Sequence, residues 1–492
     1  MMKYPSRIHS LLQGKERMLI GGEWVKSQSG QSFATYDPAI GEKLCEVPFA
    51  TEADVERAVE AAQRAFYLWR QVDSFERAKK VSAFADLLRQ HAEDLALLDA
   101  VDSGNPVTAM KGDVLMAAGA MDYLASLSAG IKGEVIPGKA GMLHTVFHEP
   151  YGVVVRITPF NHPILFAAWK LAAPLVAGNT VILKPAEQTP LSALEMGKYV
   201  LEAFPPGVVN IITGDGPVTG SALVTHPKIK RIALTGGVDT GRTVLKLAAE
   251  GGIKNVTLEL GGKNPMIVFP DAEIDKAVES SVTGMNFHWC QGQSCGSTSR
   301  LFLHRDIHDE FLEKVIRRVQ KIRIGPPLDA ATEMGCLVSE EQYQKVIGYI
   351  GYGKEEGARL VAGGKRPEGE VFKKGCFLQP TVFDGVKMSM RIAREEIFGP
   401  VLSVLTWSDT EEVIGQANAV DYGLTASIWT RNISQAYRTA ERLEAGFLWI
   451  NDSSRHFLGV PFGGYKQSGI GREESLEELL SYVQTKSVNT AL

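Results

Sequence analysis

Residues 151–183 read Tyr-Gly-Val-Val-Val-Arg-Ile-Thr-Pro-Phe-Asn-His-Pro-Ile-Leu-Phe-Ala-Ala-Trp-Lys-Leu-Ala-Ala-Pro-Leu-Val-Ala-Gly-Asn-Thr-Val-Ile-Leu. Val153–Ile157 is a short β-branched run, Pro163–Ala177 has helical spacing, and Thr180–Leu183 is a second short apolar run. Strands that alternate with helices pair in parallel through crossover helices. Apolar runs without polar alternation suit strands covered on both faces. The pattern continues outward. Helix Leu191–Phe204 leads to strand Val208–Ile212, helix Gly216–Thr225 to strand Arg231–Leu234, and helix Gly241–Ala249 to strand Val256–Leu260. A second series follows, with strands at Met266–Phe269, Thr298–Leu303, Ser403–Leu405, Ala426–Trp429 and Gly446–Ile450, and helices at Ile274–Met285 and Ile307–Ile322. The fold class is α/β, with two open-sheet α/β units that meet near Gly261-Gly262.

Upstream, Met18–Ile20 and Trp24-Val25 read as short strands around Gly21-Gly22. Thr51 with Asp54 three residues on is a capping pattern for a helix through Trp69. Phe75–Val101 and Lys111–Ala129 also read as helical. The tail Leu479–Val488 reads as a helix end followed by an edge strand, a position from which a strand can pair with another subunit.

A chain of 492 residues is too long for one ordinary core and predicts two or three domains. The formal net charge of -5 gives no electrostatic footprint for nucleic acid or an anionic membrane. Lys3, Arg7, Lys15 and Arg17 flank no long apolar run, so no signal peptide is read. The most apolar stretch, Ile164–Ala177, is interrupted by Lys170 and Pro174. A soluble, cytoplasmic protein is expected. The five cysteines form no Cys-x-x-Cys pair, so reduced thiols are expected and no metal.

Five stretches could carry chemistry. Cys290-Gln-Gly-Gln-Ser-Cys295-Gly-Ser297 surrounds one thiol with glycines and small polar residues, which suits a reactive cysteine. Leu258-Glu-Leu-Gly-Gly-Lys263 puts a carboxylate at the carboxyl end of a strand, where ligands of open α/β sheets bind. Ile157-Thr-Pro-Phe-Asn-His-Pro163 offers the Asn161 amide as an oxyanion donor at another strand end. Leu183-Lys-Pro-Ala-Glu187 and Thr235-Gly-Gly-Val-Asp-Thr-Gly241 are further strand-to-loop sites, the second with amides that could face phosphate. Gly214, Gly216 and Gly220 miss the Gly-x-Gly-x-x-Gly spacing. Taken singly, each feature also has a plain structural reading: a buried cysteine, an ion-paired Glu, a capping Asn.

In order along the chain, Pro159-Phe-Asn161, Lys184-Pro-Ala-Glu187, the segment around Glu259, the segment ending at Cys295, Glu395-Glu-Ile-Phe-Gly-Pro400 and Pro461-Phe-Gly-Gly-Tyr-Lys466 resemble the motifs of the aldehyde dehydrogenase superfamily. The resemblance runs over nearly the whole chain. It implies a Rossmann-like NAD(P)-binding domain from residues 1–130 and 151–260, a catalytic domain from 261–465 containing Cys295, and an oligomerisation element from 131–150 and 478–492. It implies Cys295 as nucleophile, Glu259 as general base, Asn161 as oxyanion donor and Glu473 as a candidate proton relay. Thr158, Pro159, Phe160, Lys184, Glu187, Gly214, Gly236, Gly237, Gly241, Leu260, Glu396 and Phe398 are the implied cofactor contacts. Two departures stand out: Gly237 where relatives often carry Ser, and Phe160 where many carry Trp.

The implied reaction forms a hemithioacetal on Cys295, passes hydride to NAD(P), and leaves a thioester that water activated by Glu259 hydrolyses to a carboxylate. Glu187 near the adenosine ribose favours NAD over NADP, because a carboxylate repels a 2′-phosphate; Lys184 works against that argument. His162, Phe166, Trp169, His288, Trp289, Arg455, His456 and Phe457 are candidates for the substrate channel. The aromatics point to an apolar or aromatic aldehyde, and Arg455 to a semialdehyde carboxylate unless it forms an internal ion pair. A homodimer or homotetramer is expected. The rivals are a CoA-acylating dehydrogenase, against which the retained Glu259 speaks, and a non-catalytic binding protein on the same fold.

Overall fold

A computed structural model describes residue 4 and residues 6–492, so Lys3 of the basic N-terminal stretch lies outside the described residues. The first sheet has eight strands in the order Glu23–Val25, Met18–Ile20, Val209–Ile211, Thr180–Lys184, Val153–Ile157, Ile229–Thr235, Asn255–Glu259 and Gly469–Ile470. The five strands from Val209–Ile211 to Asn255–Glu259 run parallel. In sequence rank their order is 3-2-1-4-5, the doubly wound arrangement read from the alternation. The chain therefore reverses its direction of winding beside Val153–Ile157. A crevice opens there at the carboxyl ends of the strands.

Helices cover both faces of this sheet. Pro163–Val176 and Leu191–Ala203 pack on one face with Ser74–Gln90 and Val107–Ser126 behind them. Glu52–Trp69 and Val238–Glu250 cover the other. The expected capping pattern is present: the Asp54 side chain accepts from the Thr51 backbone N–H at 3.0 Å. The segment expected as one helix from Phe75 to Val101 is two, Ser74–Gln90 and Ala92–Ser103, with His91 between them. His91 breaks the helical register, and its ring stacks on Tyr199 at 4.4 Å.

The second sheet has seven strands: Arg359–Ala362, Thr381–Asp384, Val401–Trp407, Arg300–His304, Pro265–Val268, Thr425–Trp429 and Phe447–Ile450. All pair in parallel except Arg359–Ala362 with Thr381–Asp384. Separate hydrophobic clusters lie on its two faces. The chain leaves the first sheet at Glu259 and enters the second at Pro265. That short link sets the carboxyl edge of one sheet against the amino edge of the other. Gly469–Ile470 then returns to pair with Leu258 and Glu259, so the two units are laced together twice.

The third element is a three-stranded antiparallel sheet of Val483–Ala491, Met142–Pro150 and Glu134–Ile136. Val483 is buried and every later residue of its strand is exposed. The strand pairs on one side only, leaving a nine-residue edge of free backbone groups. No helix among the described residues is long and apolar enough to cross a membrane.

Candidate active site

Local sequence places each candidate group at a strand end, and the sheet order brings the ends together. Asn161 follows Val153–Ile157, Lys184 closes Thr180–Lys184, Gly236 and Gly237 follow Ile229–Thr235, and Glu259 closes Asn255–Glu259. Their backbones are stitched across the edge. Thr158 N–H donates to the Lys184 carbonyl at 3.1 Å, and Gly236 N–H to the Glu259 carbonyl at 3.0 Å. Cys295 comes from the facing amino edge, five residues before Arg300–His304.

One pocket between the edges is lined by Asn161, Glu259, Cys295 and Glu473 together with His162, Phe166, Trp169 and Trp289. Met116, Lys170, Thr235, Trp449, His456 and Glu474 complete much of its wall. Arg455 and Phe457 are not in it. The Arg455 side chain is exposed and lies 3.7 Å from Asp452, so the internal ion pair is the arrangement found. Phe457 is 47% exposed. His288 faces Arg318, 3.4 Å away, on the far side of its short helix.

Burial pushes the Cys295 thiol well up, and the neighbouring Glu259 and Glu396 carboxylates push it further. Its resting form is therefore a neutral thiol. Glu259 is also raised well above the carboxylate range, by burial first and then by the charge of Glu473. Its Oε1 has no hydrogen-bond partner. A desolvated, unpaired carboxylate binds a proton readily, as a base near neutral pH must. Asn161 is buried, and its side-chain Oδ1 meets no donor.

Glu473 behaves differently. Burial alone would raise it, but Lys170 at 2.7 Å and Arg156 at 3.2 Å overcome that and hold it at about 2. Arg156 also donates to the Tyr482 hydroxyl at 2.6 Å, which ties this charge cluster to the start of the C-terminal strand. A carboxylate locked between two cations is a poor proton carrier. Its electrostatic effect is to raise Glu259.

Sequence reasoning missed Asn264. This residue is buried just past the Gly261-Gly262 link. Its Nδ2 donates to the Cys295 carbonyl at 2.7 Å and the Ser297 carbonyl at 2.9 Å. Its Oδ1 accepts from Thr425 N–H at 3.0 Å. One amide thus joins the cysteine loop to two strands of the second sheet. The preceding glycines make room: a Cβ on Gly262 would sit 2.6 Å from the Cys295 carbonyl, and one on Gly261 would meet the Glu396 carboxylate. An Asn before a strand carries no sequence signal for this role, because its three partners are distant in the chain. Asn264→Ala is expected to lower kcat about 100-fold, the scale of a misplacement of roughly 1 Å. The same substitution should change the alkylation rate of Cys295, which peptide mapping after iodoacetamide would read.

The candidate cofactor residues form a second cluster along the crevice. Phe160 and Phe398 meet edge-to-face at 5.6 Å. Phe398 has a positive φ of 57°, and Gln342 holds its carbonyl with a 2.6 Å hydrogen bond. Glu396 Oε1 accepts from Gly262 N–H at 2.9 Å. Lys184 is buried, and its Nζ lies 3.7 Å from the half-exposed Glu187 carboxylate. Gly237 caps the helix Val238–Glu250 and has open space where a Cβ would stand. Gly241 packs against Leu260, since a Cβ there would fall 2.7 Å from the leucine side chain. Gly214 is pressed on Thr219. Gly241, Leu260 and Gly214 therefore shape the crevice through packing.

Known proteins share this fold. The aldehyde dehydrogenase family profile matches residues 24–488. Aldehyde dehydrogenase tropH of Talaromyces stipitatus is 46% identical over 478 residues, 96% of this chain and 92% of that protein. An NAD+ complex of aldehyde dehydrogenase from Bacillus cereus superposes with a TM-score of 0.96 at 41% identity, covering 100% of this chain and 99% of that one. Betaine aldehyde dehydrogenase from Staphylococcus aureus, also in complex with NAD+, gives 0.95 at 38% identity over 99% of this chain and 97% of that one. With the family profile spanning nearly its whole length and the same two-sheet architecture, the chain belongs to the aldehyde dehydrogenase family.

Proposed function

We propose that the protein oxidises an aldehyde to the carboxylate with NAD through a thioester on Cys295 that water resolves. The observation that carries this reading is the convergence of Cys295, Glu259 and Asn161 on one pocket from three separate chain segments. The two solved relatives bind NAD+. In this chain the crevice fits the same cofactor. Lys184 and Glu187 would hold the adenosine ribose, the Gly236-Gly237 turn at a helix N-terminus would take the pyrophosphate, and Glu396 with Phe398 would hold the nicotinamide end. Bound there, NAD supplies the hydride acceptor.

The protein's own groups do the rest. The Cys295 thiol releases its proton to solvent as the sulfur adds to the aldehyde carbon, which leaves Glu259 ionised. The Asn161 amide and the Cys295 backbone N–H stabilise the resulting oxyanion. Loss of hydride leaves the thioester. Glu259 then takes a proton from water, whose oxygen displaces the sulfur and releases the acid and the free thiol. An aldehyde panel followed by NADH absorbance tests the reading. Production of an acyl-CoA on adding CoA would replace it with the acylating alternative.

NAD is the preferred cofactor because Glu187 is an acceptor for a 2′-hydroxyl and already engages Lys184, the cation that would otherwise offset a 2′-phosphate. The ratio of kcat/KM is expected to favour NAD over NADP by about tenfold or more. Glu187→Gln should narrow it. The aromatic wall of Phe166, Trp169, Trp289, Trp449 and Phe462 favours an apolar or aromatic aldehyde. With Arg455 outside the pocket, a semialdehyde loses its support. The exposed edge of Val483–Ala491 supports assembly into a homodimer or homotetramer, which light scattering would measure.

A further inference from the structure

Two histidines line the pocket, and each is held by a carboxylate. His162 Nδ1 lies 2.8 Å from Asp113 Oδ2, and Trp289 Nε1 donates to the other Asp113 oxygen at 2.7 Å. Asp113 is fully buried, so it fixes one aromatic wall. His456 is different. Its Nδ1 lies 2.8 Å from Glu474 Oε1, and its ring sits between Phe447 and Phe462, with centroids at 6.1 Å and 4.7 Å. A carboxylate only accepts, so Nδ1 carries the proton. When the ring carries that one proton, Nε2 is a bare acceptor, and it meets no protein donor among the described residues.

Of the other polar groups outside the catalytic set, Trp169 Nε1 and Glu474 Oε2 are buried without a partner, and several others are occupied. Ser454 donates to Asn286 at 2.9 Å, Trp289 donates to Asp113, and Lys170 pairs with Glu473. His456 thus presents an unused acceptor in a pocket whose walls otherwise suit a flat apolar ring. Resting on the assignment of this pocket to the aldehyde, we propose that His456, oriented by Glu474, accepts a hydrogen bond from a substrate hydroxyl and selects hydroxyl-bearing aromatic aldehydes. The physical cause is desolvation. A ring hydroxyl entering an aromatic pocket loses its water, and Nε2 replaces one hydrogen bond that the walls cannot. A methoxy group has no proton to donate, and an unsubstituted ring leaves Nε2 unpaired.

The test compares benzaldehyde, meta- and para-hydroxybenzaldehyde and their methoxy counterparts by kcat/KM with NAD. Because His456 is partly open, one hydroxybenzaldehyde is expected to exceed both benzaldehyde and its methoxy analogue by about 10–100-fold, below the limit for a fully enclosed hydroxyl site. His456→Phe should bring that ratio close to unity. His456→Gln, whose amide oxygen can accept, should keep part of it. A wild-type ratio near one, or a ratio unmoved by His456→Phe, overturns the proposal. Binding to Cys295→Ala protein, followed by quenching of tryptophan fluorescence, reads the same preference without chemistry. If no aldehyde turns over, the assignment of the reaction fails. Hydroxyl-dependent binding lost in His456→Phe would still support the role of His456, and equal binding of all the rings would refute it.

Discussion

Cys295→Ala protein is expected to fold normally and bind NAD, with aldehyde oxidation reduced about 10⁴-fold or more, the scale on which deletion of a covalent nucleophile acts. The expectation rests on position. Cys295 is the cysteine lining the pocket that Glu259 and Asn161 share, whereas Cys290 and Cys336 are fully or almost fully buried and do not line it. The same geometry separates chemistry from stability: alanine removes a partly buried sulfur from a cavity rim, and the Asn264 bonds are to the backbone of the loop and remain. Thermal unfolding should therefore move little while turnover disappears. Steady NADH production by a well-folded Cys295→Ala protein would remove the thioester from the reaction.

Glu259→Gln is expected to behave differently in time. A general base contributes about 10²–10⁴-fold, so steady turnover should fall by that range. A first-turnover burst of NADH should persist, because the hydride leaves before water is needed. Acyl-enzyme should accumulate and be visible by intact-protein mass spectrometry. Absence of a burst together with absence of acyl-enzyme would instead make Glu259 necessary for the first step. The pH profile gives an independent check. Burial and Glu473 raise the Glu259 pKa, so the active, ionised form is populated only as pH rises through a midpoint above the usual carboxylate range. The wild-type steady rate should therefore climb with pH through that region, and the Glu259→Gln rate should lose that limb. Lys170 lowers the Glu259 pKa, so Lys170→Met should move the midpoint upward.

Much of this was legible locally. Short β-branched runs between amphipathic segments announce buried parallel strands, because a strand covered on both faces has no polar alternation. That reading located Val153–Ile157, Asn255–Glu259 and Arg300–His304 to within a few residues. Strand ends, in turn, picked out Asn161, Lys184, Gly236 and Glu259, since a ligand site needs backbone and side chains at the carboxyl edge. The tail strand was legible too, as Val483–Ala491.

Other features depend on which strands become neighbours, and no short stretch of sequence encodes that. Cys295 gained its setting when the amino edge of the second sheet was set against the carboxyl edge of the first. Asn264 gained its role from carbonyls on another loop and an amide on another strand. Arg455 and Phe457 stood in the right segment, yet the backbone turns their side chains to solvent while it brings His456 into the pocket. Glu473 shows the division most clearly. The family resemblance made it a candidate proton relay, and the fold sets it between two buried cations, from the Val153–Ile157 strand and the helix after it. By itself the sequence determined the strands, the helices and the kinds of chemical group at their ends. The tertiary structure decided what each group faces, and the partners that come together there, with the water they exclude, set each pKa and hydrogen bond.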